Sequence, residues 1–416
     1  TAALHKYGIT EASLADNGLA SEQSDFAKGH FYENGLKLVL AQVGKDLLTP
    51  ERIEPGVRRF MSYVRSKGIT TICEPGTQLG RPIQAYWEKT LGGDVGFRTY
   101  FIPDGRGLYE QHKGNLEELV PATAAYESWG SGNVAWLPKQ VKLFSDGAIF
   151  SLLMQVKEPY LDGHSGEWIL APDDYAAAFE RYWRAGYHIH THVNGDAGLQ
   201  IVIDTLEKNQ RAMPRDDHRF TVVHFAVSQD EQVRRLKELG AIVSANPYYP
   251  CALADIYSQM GLGPARADSM ARLGTVAREG VSISLHSDMP MAPADPLFLM
   301  WCAVNRVTPS GRVADPEQRI DAGLALRAVT IDAAYSIGLE KKIGSIEAGK
   351  TADLTVLSDD PSSVDPNEIR NIRVLDTVFA GRPASLAPAH ASAGEAEDIR
   401  NGHAALSKDA LHSTAG

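Results

Sequence analysis

The segment Asp173-Asp-Tyr-Ala-Ala-Ala-Phe-Glu-Arg-Tyr-Trp-Arg-Ala-Gly-Tyr-His-Ile-His-Thr-His-Val193 contains one complete helix-to-strand unit, and it therefore indicates the fold class. Large aromatic residues recur in it at i, i+4, i+7 and i+8, the spacing of one buried helix face: Tyr175, Phe179, Tyr182 and Trp183. Gly186 suits the left-handed position that ends a helix, and a β-rich run follows it directly. We expect a helix that leads straight into a strand.

The same order of helix, glycine and strand recurs along the chain. Helical spacing of apolar residues precedes Gly68, Gly240 and Gly280, and each glycine is followed by a short β-rich run. Together with three further runs, the expected strands are 69–73, 95–102, 141–144, 187–193, 220–224, 241–245 and 281–285. Strands that alternate with helices indicate a parallel sheet, either a closed barrel or a doubly wound layer. An eight-stranded barrel needs one more strand, and nothing before residue 50 is a good candidate.

Composition and charge exclude several classes of protein. The 416 residues are 44% hydrophobic, which excludes a wholly disordered chain and provides material for a sizeable core. The net charge of −11 argues against a nucleic-acid or anionic-membrane surface, and no apolar run approaches the ~18 residues that cross a bilayer. Three cysteines without a paired motif favour a reducing, cytoplasmic compartment. A homodimer is left open, and the start at Thr1 suggests a processed or incomplete chain.

The composition and the hydrophobic periodicity of the chain change twice, which predicts three regions. Residues 1–340 read as a (β/α) barrel catalytic domain that is incomplete at the N-terminus. Short alternating stretches separated by turn signals predict part of a small β-sandwich domain over 341–383. Residues 384–416 are rich in Ala, Ser, Gly and His with little periodicity, and we expect a mobile tail there.

Polar residues at the C-terminal ends of the expected strands are the candidate site, because active sites of parallel barrels lie at that end. Lys142 lies in the 141–144 strand, while His192 and His224 end the next two strands along the chain. Asp288 comes just after the last expected strand. Two imidazoles and a carboxylate at one rim fit Zn²⁺ or a similar divalent ion. We therefore predict that His192, His224 and Asp288 hold a metal ion beside Lys142, with Asp288 also as the catalytic acid–base.

Each of these residues has a simpler interpretation when it is taken alone. A histidine at a strand end is often a structural hydrogen-bonding residue, which would apply to His224. Asp288 could cap the turn that follows it, and Lys142 could extend its amine to the surface. The common position at strand ends favours the metal interpretation over these alternatives.

Neighbouring histidines and loop residues complete the candidate site. His188, His190 and His192 share one face of their strand because side chains alternate with a period of two. Lower positions of a barrel strand point into packed layers, so we favour His192 as the ligand, with His190 behind it and His188 structural. The loops after the strands form the walls of a barrel's pocket, so their residues His164, Trp168 and Tyr248 are candidates for substrate binding. The alternative is that these residues are ordinary surface or packing residues.

Several of these motifs together resemble the amidohydrolase superfamily, specifically its family 3 branch. The motifs are Val-Lys-Leu-Phe-Ser-Asp-Gly at 141–147, His-Val-Asn-Gly-Asp at 192–196, Ser-Asp-Met-Pro at 287–290 and Gly-Ser-Ile-Glu-Ala-Gly-Lys-Thr-Ala-Asp-Leu at 344–354. The resemblance implies a (β/α)8 TIM-type barrel with a small β domain and one or two divalent metals. It implies that Lys142 matches a lysine that bridges two metals where it is carboxylated, and that His192, His224 and Asp288 match the family's ligands.

One departure from the family affects both fold and function. The family's H-x-H pair on the first strand has no counterpart here, and neither have the N-terminal strands of the small domain. We therefore expect an α/β barrel of the metal-dependent hydrolase type that lacks its first strand, in an N-terminally truncated chain. The expected function is hydrolysis of a non-peptide, amide-type C–N bond in a small molecule by a metal-activated hydroxide. The alternatives are a single-metal hydrolase that uses His192, His224 and Asp288, and a non-catalytic barrel relic or inactive fragment.

Overall fold

The fold is described by a computed structural model that covers residues 2–384 apart from 16, 18 and 48. The expected mobile tail over 384–416 lies outside the described residues except for residue 384. The described strands are β1 (Ser24–Asp25), β2 (His30–Phe31), β3 (Thr71–Thr77), β4 (Arg98–Pro103), β5 (Gly130–Ser131), β6 (Val134–Trp136), β7 (Gln140–Phe144), β8 (His188–Val193), β9 (Thr221–His224), β10 (Ile242–Ala245), β11 (Ser282–Leu285), β12 (Leu354–Leu357), β13 (Val374–Phe379) and β14 (Arg382–Pro383).

Helices alternate with the strands over most of the chain. They are α1 (Ala2–Lys6), α2 (Glu11–Leu14), α3 (Leu19–Glu22), α4 (Glu33–Leu47), α5 (Pro50–Ser66), α6 (Arg81–Leu91), α7 (Gly105–Gln111), α8 (Leu116–Glu127), α9 (Pro172–Arg184), α10 (Asp196–Ala212), α11 (Asp230–Glu238), α12 (Tyr248–Tyr257), α13 (Pro264–Asp268), α14 (Leu273–Arg278), α15 (Pro296–Asn305), α16 (Ala322–Ala328) and α17 (Ile331–Ser336). Three 3₁₀ turns lie at Ile149–Ser151, Pro316–Gln318 and Pro366–Asn371.

All seven expected barrel strands are present, as β3, β4 and β7 to β11. The strands β7, β8, β9, β10 and β11 pair in that order, and every pair is parallel. β3 pairs in parallel with β4, and a parallel bridge between Asp104 and Lys142 joins the end of β4 to β7. The short strand β6, which was not expected, also pairs with β4 and is separated from β7 by a break that contains Pro138. Proline lacks the N–H that a continuous ladder would need.

The barrel wall is open between β3 and β11. In the part of the chain that the structure describes, no strand lies between these two, and a cavity of about 980 Å³ occupies the space. No residue of β3 is fully buried, whereas all four residues of β9 are. The described strands thus form the wall of a (β/α)8-type barrel without its first strand, as the sequence predicted.

The core lies between the strands and the helices that surround them. The predicted face of α9 is buried, since Tyr175, Phe179, Tyr182 and Trp183 are each at most 1% exposed. Phe179 packs against Phe220 of the segment that enters β9, with ring centres 5.6 Å apart. This packing explains why the aromatic spacing of the sequence indicated a helix on a sheet.

A small antiparallel sheet, β12–β13–β14, packs on the barrel near its open side. Asp353 forms an ion pair with Arg98 of β4, whose guanidinium lies 4.5 Å from the ring centre of Phe379. The Thr355 hydroxyl donates a hydrogen bond of 2.7 Å to the carbonyl of Gly68. This sheet lies within 341–383, while the predicted division into domains stays a prediction.

The N-terminal helices pack over the loop that follows β7. The Glu33 carboxylate accepts hydrogen bonds from the Ala148 backbone N–H at 2.8 Å and from the Ser151 hydroxyl at 3.0 Å. The sequence pattern predicts no barrel strand before residue 50. Among the described residues, no helix combines the length and the apolar character that a membrane span requires.

Candidate functional site

The four predicted ligands lie in one cavity at the C-terminal ends of the strands. Lys142, His192 and His224 are 3%, 9% and 6% exposed, while the side chain of Asp288 is 44% exposed. The structure therefore brings three buried groups and one more accessible carboxylate to the same space. Their role as metal ligands stays a prediction.

The two histidines lie together at the ends of neighbouring strands. β8 and β9 pair Val193 with His224, which places His192 and His224 one register position apart. Their rings lie 4.4 Å apart at an angle of 70°. The Nδ1 atom of His224 lies 3.8 Å from a carboxylate oxygen of Asp288. His224 and Asp288 both adopt left-handed backbone conformations, with φ of 82° and 53°. Such strained positions in non-glycine residues are concentrated at functional sites.

The side chains do not form a ready metal-binding group. Within the residues that the structure describes, no three histidine, cysteine or acidic side chains are grouped so that they could hold an ion as they stand. One reason is visible at His192, whose Nε2 accepts a hydrogen bond of 3.1 Å from the Asn194 side chain. Ion binding would require the His192 ring or the Asn194 amide to rotate.

Burial keeps the imidazoles neutral. It lowers the pKa of His192 to about 3, with the positive charges of Lys142 and Arg106 acting in the same direction. Burial also places the pKa of His224 well below its usual value, and the neighbouring His192 and Lys142 lower it further. The neutral imidazole is the form that binds a metal.

Lys142 lies inside the barrel and does not reach the surface. Its burial rules out the alternative of an amine that extends to solvent and lowers its pKa to about 8, although Asp288 and Asp104 act to raise it. A lowered pKa increases the fraction of neutral amine, which is the form that carboxylation requires. Carboxylation of Lys142 stays a prediction.

Asp146 is a site residue that sequence reasoning did not identify. It is fully buried and accepts hydrogen bonds from the backbone N–H groups of Gln155, Asn194 and Gly195 at 2.9, 2.9 and 2.8 Å. Gly198 allows the close approach of α10, because a Cβ there would lie 2.7 Å from the Asp146 carboxylate. Asp146 thus ties the end of β7 to the loop that carries Asn194 beside His192. Its signal was its place in the Ser-Asp-Gly run after β7.

Two further cavity residues, His286 and Glu74, were also missed. The His286 ring lies 5.0 Å from the His224 ring at an angle of 72°. Its position directly after β11 was a usable signal, because residues at the C-terminal ends of barrel strands lie at one rim. Glu74 lies in β3, and enclosure in the cavity, followed by repulsion from Asp288, raises its pKa.

The other two histidines of β8 lie towards the lower end of the strand. His190 is 3% exposed and donates a hydrogen bond of 2.9 Å to the Gln140 side chain, whose amide donates to the carbonyl of Ile337. His188 begins the strand. His190 lines the cavity as His192 does, so the choice of His192 as the ligand stays a prediction.

The three predicted substrate-binding residues are not among the described residues that line the cavity. His164 stacks on Tyr160 with ring centres 4.0 Å apart, and its Nε2 is 2.7 Å from the carbonyl of Leu152. Trp168 forms an antiparallel bridge with Asp146, and Tyr248 packs on Phe298. Their role in substrate binding stays a prediction.

Tyr249, rather than its neighbour Tyr248, contacts the candidate site directly. The Tyr249 hydroxyl lies 3.4 Å from the Nδ1 atom of His224. Tyr249 is 1% exposed and belongs to an apolar cluster formed by the loops above the barrel. The wall on this side of His224 is therefore built from α12, as the loop argument expected, but from a different residue.

The chain is similar to proteins of one family over most of its length. It is 25% identical to the putative amidohydrolase YtcJ of Bacillus subtilis over 72% of this chain and 54% of that protein. It is 31% identical to the N-substituted formamide deformylase of Arthrobacter pascens over 48% of this chain and 36% of that protein. The chain thus spans about half or less of the length of these curated relatives.

A solved structure and a family model agree with this likeness. An uncharacterized metal-dependent hydrolase from Pyrococcus horikoshii OT3 has the same fold, with a TM-score of 0.66 and 20% identity over 83% of this chain and 67% of that one. The model described as the amidohydrolase family matches residues 1–384. The resemblance predicted from the motifs is therefore confirmed, and the chain belongs to the amidohydrolase family.

Proposed function

We propose that the protein is a metal-dependent hydrolase that cleaves a non-peptide, amide-type C–N bond in a small molecule. The observation that carries this proposal is the meeting of His192, His224, Lys142 and Asp288 in one cavity at the strand ends. Two neutral imidazoles, a buried amine of lowered pKa and an accessible carboxylate are the groups that such chemistry needs.

The residues present fit a divalent metal by their chemistry. His192 and His224 offer neutral nitrogens and Asp288 offers an oxygen, which is the donor set of Zn²⁺ and similar ions. A carboxylated Lys142 would add an anionic oxygen and allow a second ion. When bound, such an ion polarises a carbonyl and lowers the pKa of a water molecule.

Asp288 is placed to move the proton of the reaction. Its carboxylate is the most accessible of the four groups and lies 3.8 Å from His224. We propose that an Asp288 carboxylate oxygen takes the proton of the attacking water and delivers it to the leaving nitrogen, which is the two-way role of a general acid–base. The two histidines would hold the ion beside it.

The relatives favour a C–N bond as the target. One of them is named as a deformylase of N-substituted formamides, and the family as a whole is one of amidohydrolases. We therefore propose N-substituted formamides and other N-acyl compounds as the substrate class.

The three cysteines are all free thiols, which favours the cytoplasm as the compartment.

The test is hydrolysis of a panel of N-substituted formamides and N-acyl amines by the purified chain loaded with Zn²⁺, Co²⁺ or Mn²⁺. We expect metal-dependent release of amine, and a loss of roughly 10²- to 10⁴-fold in D288N, the range of general acid–base catalysis. The matched control is D230N, because Asp230 is a surface residue that pairs with Arg272. Metal-loaded protein that cleaves none of the panel would contradict the proposal.

A single-metal form of this enzyme is a second candidate, and the open wall favours it. The described residues around the gap between β3 and β11 provide no H-x-H pair. One bound equivalent of metal would support a site of His192, His224 and Asp288 alone. Two equivalents together with a carboxylated Lys142, visible as added mass in the intact protein, would support a bridged pair of ions.

A further inference from the structure

His286 lies in the candidate site and carries a nitrogen without a partner. It lines the same cavity as His192, His224 and Asp288. Its Nε2 atom is buried, and in the described structure it has no hydrogen-bond partner. Buried polar atoms of proteins are nearly always paired, so an unpaired imidazole nitrogen indicates a partner that is supplied from outside the chain.

The strand explains why His286 points towards the other histidines. The His286 backbone N–H donates to Ala245 of β10 at 3.0 Å, and Ala245 in turn pairs with His224 of β9. His286 therefore continues the ladder of β11 beyond Leu285. His286 and Asp288 both follow the end of β11 and line the cavity. A histidine and an aspartate two residues apart can then approach one ion.

The spacing of the three rings matches ligands of one ion. The ring centres of His192 and His224 are 4.4 Å apart, and those of His224 and His286 are 5.0 Å apart. Imidazoles that bind one tetrahedral ion through bonds of about 2.0–2.1 Å have ring centres about 5 Å apart. Each of these two ring pairs thus already has nearly the separation that a shared ion would impose.

We propose that the Nε2 atom of His286 is a further ligand of the divalent ion held by His192, His224 and Asp288. This inference rests on the proposed function, since it assigns an additional ligand to the same metal. A set of three imidazoles and one carboxylate favours Zn²⁺, Co²⁺ or a similar borderline ion over Mg²⁺ or Ca²⁺, which prefer oxygen ligands.

The first experiment measures the affinity for Zn²⁺ by competition with a chelator in the wild-type chain, H286N and H286Q. Loss of a direct ligand should weaken binding at least about 100-fold, which exceeds the roughly 10- to 100-fold typical of groups that only orient a ligand. The matched control is H112N, since His112 directly follows α7 and is not among the described residues that line the cavity. H112N should bind Zn²⁺ as the wild type does.

The second experiment is X-ray absorption of the Zn²⁺-loaded wild type, which does not depend on the folding of a variant. It should show three imidazole ligands per ion. As a further check, the visible bands of the Co²⁺-loaded chain should change in H286N. Two imidazoles, or a weakening of less than about 100-fold in both variants, would overturn the ligand role. That result would leave the proposed function standing if metal-dependent hydrolysis persists. A wild type that binds no Zn²⁺ would overturn both.

Discussion

The two sides of the barrel wall differ in how completely their residues are enclosed. On the closed side, every residue of β9 is buried, and Asp146 and His190 have protein hydrogen-bond partners. On the open side, β3 has no fully buried residue.

This difference separates two kinds of site residue. On the closed side, His192 and His224 lie at the ends of paired strands, and the hydrogen bonds of Asp146 hold the loop that carries Asn194 beside His192. The positions of the two histidines therefore follow from the fold. The open side holds Glu74, His286 and Asp288 near the cavity without enclosing them to the same degree. Substitutions on the closed side should therefore cost stability, and those on the open side should mainly change what the cavity binds.

Acid should produce the largest effect, because the closed side buries neutral histidines. Burial lowers the pKa of His190 to about 3, and the nearby positive charge of Lys142 lowers it further. The unfolded chain takes up protons below about pH 6.5, while the folded chain does not, so the free energy of unfolding should fall as pH decreases from there. For His190 alone, at ~1.4 kcal/mol per pKa unit, the loss is on the order of 4 kcal/mol by pH 3.

The variant H190Q tests this assignment. Denaturant unfolding between pH 6 and 4 should show a slope against pH that is smaller by about 1.4 kcal/mol per pH unit than in the wild type, which corresponds to one proton fewer. An unchanged slope would mean that His190 does not contribute to acid destabilisation. That result would weaken the contrast between the two sides.

Removal of the Asp146 carboxylate should give the second largest effect. D146A leaves the buried backbone N–H groups of Asn194 and Gly195 and the partly buried N–H of Gln155 without their acceptor. Unpaired buried groups each cost roughly 1–3 kcal/mol. We expect a loss of about 3 kcal/mol in denaturant unfolding, together with weaker Zn²⁺ binding through misplacement of His192. The control is D162A in the same loop, where the carboxylate is 70% exposed. Equal stability of the two variants would refute the claim that the hydrogen bonds of Asp146 stabilise this side of the barrel.

The open side should respond least. Lys67 and Asp295 form an ion pair of 2.6 Å near the gap, with side chains that are 33% and 18% exposed. Because partly exposed pairs contribute little, K67M should cost less than about 1 kcal/mol and less still in high salt. D295A should cost about 1 kcal/mol more, since Asp295 also caps α15 through the Phe298 N–H. A larger loss in K67M than in D295A would show that the pair holds the gap together.

Much of the fold could be predicted because its signals are local. A helix face that ends at Gly186 or Gly240 and leads into a β-rich run requires no knowledge of distant residues. All seven expected strands are present, and four of them follow a glycine of this kind. Elements without periodicity, such as the β5–β6 hairpin, had no comparable signal.

The candidate site was predicted only in part, because strand ends can be recognised in the sequence and contacts made by loops cannot. Lys142, His192, His224 and Asp288 could be found because strand ends share one rim of a barrel. Asp146 acts through backbone groups of distant loops, and no residue spacing reports such contacts. His286 could have been predicted as a site residue from its position directly after β11. Whether loop residues such as His164 face the cavity depends on loop conformation, which the sequence does not specify.

The attachment of the small sheet has a consequence for proteolysis. Its contacts with the barrel, through Arg98, Gly68 and their partners, do not involve the connecting loop at 344–350. Ile346 in that loop is 88% exposed and is therefore open to cleavage. A chain nicked there should keep both pieces associated as one particle, and they should separate by size only after denaturation.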